Sequence, residues 1–216
     1  MAKVKVEFVC RACGASHHQW AGQCLDCKEW NTLEEVVLSQ ATSSKPESLK
    51  DLPPSKVQNL SAIKSENRSR LSTGLTELDR TLGGGLVDGS VVLIGGDPGI
   101  GKSTLILQAM AAINKDNTTL YVSGEESAEQ ISDRAIRLGI NEDILLLSET
   151  HLEKIIKLAK EVQPKVIVID SIQTMVTDGS TSAPGSVTQV RDCAAQLTQF
   201  AKQTNTILLM IGHVTK

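Results

Sequence analysis

The 216 residues are 40% hydrophobic, enough for one sizeable α/β core and a small appendage. A net charge of -3 excludes wholesale electrostatic capture of nucleic acid by the chain as a whole, although a sum is blind to a local basic patch. No run of about 18 apolar residues occurs, and the charged Met-Ala-Lys-Val-Lys start lacks a signal peptide's apolar stretch, so the expectation is a soluble, cytoplasmic chain without membrane contact.

Residues 1–37 are expected to form a unit of their own. Cys10, Cys13, Cys24 and Cys27 form two Cys-x2-Cys pairs, and in a cytosolic chain that pattern favours metal over disulfide. Two knuckles of two thiolates each suit tetrahedral Zn2+ in a unit too small to fold on hydrophobic burial alone, and four thiolates would make the zinc structural. Gly14 suits a knuckle's tight backbone, and Trp20 and Trp30 are expected to pack over it as a miniature core. His17 and His18 are alternative ligands. A redox pair is the competing reading, disfavoured by two pairs at this spacing without a thioredoxin-like context. The next stretch, 38–70, shifts to Ser, Lys, Pro, Gln, Asn and Glu without periodicity and reads as a linker.

From residue 71 to 216, apolar runs alternate with amphipathic stretches. Val91–Ile94, Leu120–Val122, Ile144–Leu147, Val166–Ile169 and Ile207–Ile211 read as strands buried on both faces. Helices are expected at about 103–114, 127–138, 151–162 and 187–203, two of them opened by capping boxes, Ser127/Gln130 and Ser186/Gln189. Such alternation predicts an α/β fold with a mostly parallel sheet flanked by helices. Cys193, on the last helix, reads as a small buried hydrophobe.

Gly96-Asp97-Pro98-Gly99-Ile100-Gly101-Lys102-Ser103 follows the first of these strands and opens a helix, the context that a phosphate-binding loop requires. Its glycines let backbone N–H groups turn inward on a phosphate, and the helix N-terminus adds positive potential. Lys102 is expected on the β- and γ-phosphates of ATP, or the β-phosphate of ADP, Ser103 on Mg2+ and Thr104 nearer the α-phosphate. The strand Val166–Ile169 runs into Asp170, placing an acid at the sheet's carboxyl edge, where it would act on Mg2+ through water. Hydrolysis also needs a group that orients the attacking water. Glu125 is the candidate and Glu126 the alternative, its other reading being a charge favouring the next helix's N-terminus. The last strand ends at His213, a polar group where a γ-phosphate sensor would lie.

Taken together, Cys10-x2-Cys-Gly, Trp20-x-Gly-x-Cys24-x2-Cys27-x2-Trp30-Asn-Thr, the run from Arg70 to Gly83-Gly-Gly, the phosphate loop, Tyr121-Val-Ser-Gly-Glu-Glu-Ser, Val168-Ile-Asp-Ser-Ile-Gln-Thr and Gly212-His-Val-Thr-Lys resemble the bacterial RadA (Sms) family of DNA repair ATPases along essentially the whole chain. Leu25-Asp26 departs from the proline frequent there without touching a ligand.

The resemblance implies a RecA-like ATPase core behind an N-terminal zinc finger, in a homo-hexameric, ring-helicase-like motor of branch migration. Its partners would be single-stranded DNA, branched recombination intermediates and a recombinase filament. It gives Glu125 the role of catalytic glutamate and His213 that of the residue linking the γ-phosphate to a DNA-facing loop. Residues 175–187 would be that family's first DNA-binding loop region, mobile until nucleic acid is present. Family members continue with a Lys-Asn-Arg-Phe-Gly motif and a Lon-protease-like domain, so the chain is expected to be an N-terminal portion that keeps the nucleotide pocket without the segments that the family adds beyond it. A zinc-ribbon regulatory module of the KaiC-like group, binding nucleotide as a switch, is the alternative.

Overall fold

A computed structural model describes residues 5–38, 59, 70–180 and 182–213. The expected linker therefore lies almost wholly outside the described residues, as do Thr215 and Lys216. The chain divides into two compact units, residues 1–69 and 70–216.

In the first unit, β1 (Lys5–Cys10) pairs antiparallel with both β2 (Ser16–His17) and β3 (Leu33–Leu38), giving the order β2-β1-β3. Its small core consists of Cys10, Cys24 and Leu33, with Phe8, Ala15, Ala21 and Cys27 packed against them. The tryptophans do not form it: Trp20 is 63% and Trp30 68% exposed, which corrects the expected miniature aromatic core. Buried cysteines fill the interior of so small a unit, leaving the indoles outside.

The second unit holds a parallel sheet ordered β4-β8-β7-β5-β6, made of β4 (Val91–Gly96), β5 (Thr119–Ser123), β6 (Leu145–Ser148), β7 (Val166–Asp170) and β8 (Ile207–His213). Around it lie α1 (Thr76–Thr81), α2 (Lys102–Asn114), α3 (Ala128–Arg137), α4 (Leu152–Val162) and α5 (Val187–Thr204). One face of the sheet, with Val122, Ile167, Ile169 and Leu208, packs on Ile155 of α4 and Leu197 of α5. The other, with Tyr121, Val168, Leu209 and Ile211, packs on Ile106 and Met110 of α2 and Ile131 of α3. Successive strand residues serve opposite faces, so a strand covered on both sides has no polar alternation to show. This holds for β5, β7 and nearly all of β8. It fails for β4 and β6, the edges of the described sheet, where Leu93 and Leu145 are exposed.

The Ser127/Gln130 capping box is complete, each side chain meeting the other's backbone N–H. The second box is half made. Ser186 Oγ accepts from the Gln189 backbone, but the Gln189 side chain is buried with Oε1 lacking a partner.

The run from Arg70 to Gly85 is a structural clasp. The Arg70 guanidinium donates to the carbonyls of Leu82 (3.0 Å) and Gly85 (3.1 Å), while Asp79 accepts from Ser72 and from the backbone and hydroxyl of Thr73. Gly85 has φ +123°, and a Cβ there would come within 2.6 Å of the Leu71 carbonyl oxygen, so glycine is required on two counts.

Candidate nucleotide site

The loop between β4 and α2 turns on two glycines, Gly99 at φ +78° and Gly101 at φ +96°. A Cβ added to either would meet nothing within 4 Å, so crowding is not what demands glycine there; the left-handed backbone is. Gly101 is the N-cap of α2, with no side chain occupying the helix N-terminus. Backbone N–H groups of a helix's first turn lack intrahelical partners, and this open end, on an open-surfaced glycine turn, fits a phosphate.

Lys102 is 7% exposed, and its ammonium donates to the carbonyls of Gly96 (2.9 Å) and Asp97 (2.8 Å). The loop thus holds its own cation. Ser103 and Thr104 follow on the first turn of α2.

Strand order brings the remaining groups together. Because β8 lies between β4 and β7, the carboxyl ends of three adjacent strands carry the loop, His213 and Asp170. His213 Nδ1 is 3.4 Å from Lys102 Nζ, and its Nε2 is 3.4 Å from Glu125 Oε1. An ammonium facing Nδ1 and a carboxylate facing Nε2 favour the imidazole tautomer protonated at Nε2. Glu125 also accepts from the buried Ser171 hydroxyl. The Asp170–Ser171 peptide bond is cis. Lys102, His213 and Glu125, chosen at three separate strand ends, therefore form one chain of contacts.

Glu126 faces elsewhere. It pairs with Arg134 of α3, while Glu126 Oε2 and Arg134 Nη1 are buried without partners. The turn bearing both acids is tied down: Ser123 Oγ donates to the Glu126 carbonyl (2.8 Å), and the Gly124 N–H donates to the Asp170 carbonyl (2.8 Å).

Two residues that sequence reasoning missed complete the surroundings. Tyr121 donates its hydroxyl to Asp170 Oδ2. Burial, and next the adjacent Asp170 charge, push the phenol far above its ordinary pKa, so it remains a donor. A tyrosine in a strand otherwise expected to be fully buried was the available signal, since a buried hydroxyl needs a partner. Gln173 donates from Nε2 to the His213 carbonyl at 3.1 Å, and its buried Oε1 has no partner.

The proposed DNA-facing segment, 175–187, is in part firmly held. Met175 and Thr177 are buried, and Thr177 Oγ1 donates to Glu153 and accepts from Gln196 at 3.0 Å. Asp178, Gly179 and Ala183–Gly185 are exposed, so the expectation of a mobile segment is corrected for its first three residues.

In the first unit, the four cysteine sulfurs lie within 4.8 Å of one another, with Cys10–Cys27 and Cys13–Cys24 both at 3.6 Å. A tetrahedron with Zn–S of about 2.3 Å has an edge of about 3.8 Å, so the spacing fits one Zn2+. The knuckle turns are closed by Gly14 N–H to Cys10 O (2.7 Å) and Lys28 N–H to Cys24 O (3.0 Å), with Gly14 and Lys28 at positive φ. The Cys24 thiol is held down to about 6, chiefly by the Cys27 backbone N–H, with burial opposing and His17 assisting. The Cys27 thiol goes up to about 12: a backbone hydrogen bond from Glu29 pulls down, but burial and the neighbouring sulfurs outweigh it. Sulfurs this close cannot all ionise without a cation between them. His17 Nε2 stands 3.5 Å from both Cys24 Sγ and Asp26 Oδ2, beside a sulfur that already has three sulfur neighbours.

A glycine-turned phosphate loop on a helical N-terminus, an acid on the next strand but one, and a RecA-like parallel sheet define a P-loop ATPase domain, carried with a four-cysteine zinc ribbon. A family model described as "AAA domain" matches residues 56–216, and one described as "Rubredoxin metal binding domain" matches residues 8–35. The chain belongs to the AAA domain family. It is 51% identical over 217 residues to the DNA repair protein RadA of Pseudomonas aeruginosa, 51% over 223 to that of Escherichia coli and 45% over 220 to that of Bacillus subtilis. All of this chain is covered in each case and 48% of the relative, so the chain spans about half the length of the curated relatives it matches. The resemblance read from the motifs thus extends along the whole chain. Among the described residues, no helix is long and apolar enough to cross a membrane.

Proposed function

We propose that residues 71–216 bind ATP with Mg2+ and hydrolyse it, and that the full-length cytoplasmic protein uses this turnover, as a hexameric ring, to drive branch migration in DNA recombination intermediates. The observation that carries the reading is the contact chain Lys102–His213–Glu125 beside Asp170.

Gly96 to Thr104 would hold the phosphates, with Lys102 leaving its loop carbonyls for phosphate oxygens. Ser103 and Asp170 would hold Mg2+, which offsets charge on the transferred phosphoryl group. Glu125, free of the Arg134 pair that occupies Glu126, would orient the attacking water. His213 touches both Lys102 and Glu125, and Gln173 ties its carbonyl to the turn leading into 175–187. That connection supports coupling between the phosphate end of the site and single-stranded DNA. Residues 1–37, with Cys10, Cys13, Cys24 and Cys27 on Zn2+, would form the zinc finger, joined by the 38–70 linker. A recombinase filament and branched DNA are the proposed partners.

The test is ATP turnover by the full-length protein with and without single-stranded DNA. Lys102→Ala and Glu125→Gln are each expected to lower it at least about 100-fold, with Glu125→Gln still binding ATP. Turnover indifferent to both DNA and Glu125 would overturn the reading and leave a nucleotide-binding switch.

A further inference from the structure

Asp170 is 7% exposed at the end of β7, and its two oxygens have different surroundings. Oδ2 accepts the Tyr121 hydroxyl, whereas Oδ1 has no protein partner among the described residues. The parallel register explains the reach. Tyr121 lies opposite Val168 on β7, and Asp170 is the next residue of that strand on the same face. A phenol extending along the strand direction spans that diagonal, whereas Ser123, directly opposite Asp170, turns its hydroxyl to the Glu126 carbonyl.

Tyr121 is itself fixed. It is 1% exposed and belongs to the cluster formed with Ile106, Leu107 and Met110 of α2 and Ile131 of α3. The ring is packed among the sheet and two helices, and its hydroxyl is aimed along the strand at Asp170. A phenol donating to a carboxylate makes a charge-assisted bond, stronger than one between neutral groups. That bond fixes the carboxylate plane and occupies one oxygen.

We infer that Tyr121 is a positioning residue for the magnesium site: by engaging Oδ2 it turns Oδ1 of Asp170 toward the space over the phosphate loop, where a hydrated divalent cation would be held. This rests on the reading of Asp170 as a magnesium-binding acid. It adds a group that touches neither nucleotide nor metal and acts through the carboxylate alone.

The test compares the 216-residue chain with its Tyr121→Phe and Asp170→Asn variants, measuring affinity for a fluorescent ADP derivative with Mg2+ and again with the metal chelated. Tyr121→Phe is expected to lose about tenfold of the gain in affinity that Mg2+ confers, and to keep metal-free binding within about twofold. A residue that merely fills the core would lower both affinities together. If Asp170→Asn abolishes the magnesium gain while Tyr121→Phe leaves it intact, the role of Tyr121 is overturned and that of Asp170 stands. If Asp170→Asn also leaves it intact, both fall.

A second measurement covers the case in which Tyr121→Phe does not fold. Tyr121 is the sole tyrosine, so 3-fluorotyrosine labels this one site while keeping its shape and hydroxyl. Its fluorine resonance is expected to move more when Mg2+ is added to the nucleotide-bound chain than when nucleotide is added alone. A resonance indifferent to Mg2+ would overturn the inference.

Discussion

At Gly124 the reason for the residue is spatial. A Cβ there would lie 2.2 Å from Thr174 Oγ1, 2.9 Å from Thr174 Cβ and 3.0 Å from Met175 Cε, while the Gly124 N–H holds the β5 turn to the Asp170 carbonyl. Glu125 is the next residue, so any movement that relieves this crowding displaces the carboxylate. Gly124→Ala is therefore expected to cost about 1–3 kcal/mol in urea unfolding and to lower ATP turnover at unchanged nucleotide affinity. Adding Thr174→Ala removes the obstructing Oγ1 but keeps the Cβ at 2.9 Å, so it should restore only part of both losses. A double variant no better than Gly124→Ala would mean that Thr174 Oγ1 is not what sets the requirement. The same scale shows what sequence could and could not give. Lys102, Asp170 and His213 were legible because each sits at a fixed offset from an apolar strand. What was not legible is that Arg134, eight residues beyond Glu126, pairs with that acid and leaves Glu125 to His213 and Ser171, or that Tyr121 makes a bond spanning 49 positions.

Among the elements, α4 shows how a short polar cluster starts a helix without a side-chain cap at His151. Glu149 accepts from the backbone N–H of Thr150 (2.9 Å) and His151 (3.0 Å), and its other oxygen pairs with Lys154 at 3.0 Å. The His151 backbone, then Lys154, then the His151 ring hold this carboxyl at about 2, below the ordinary 4.5. A depressed acid stabilises the fold in its charged form, so the contribution is complete above about 4.5 and is lost as pH falls toward about 2. Glu149→Gln should cost about 1 kcal/mol at pH 7, by chemical denaturation, and little near pH 2. An equal cost at both pH values would contradict the charged-state account. The helices with apolar periodicity, α2 to α5, were readable within a residue or two. The six residues of α1 bury nothing, so no pattern marked them, and the clasp from Arg70 to Gly85 was visible only as a family signature.

For the molecule as a whole, the two compact units differ in what holds each together. Residues 70–216 bury apolar side chains on both faces of a five-stranded sheet, which suffices for a core of that size. The described part of the first unit has three buried core residues, two of them cysteines that belong to the four-sulfur cluster. With so much of the described interior made of sulfur, the binding energy of a metal held by the four thiolates would become folding energy. Purified protein is expected to hold about one zinc per chain, and chelation should collapse the amide dispersion of residues 8–35 in NMR spectra. Nucleotide affinity of the P-loop domain should stay unchanged. Tryptophan emission makes the experiment sharper, because both tryptophans lie in the ribbon yet are 63% and 68% exposed. Indoles packed over the knuckles would shift to longer wavelength on metal loss; these, already facing water, should barely move. A metal-free protein that keeps a dispersed ribbon spectrum would refute the four-thiolate site, and a large red shift would restore the aromatic core that the structure replaces with cysteine.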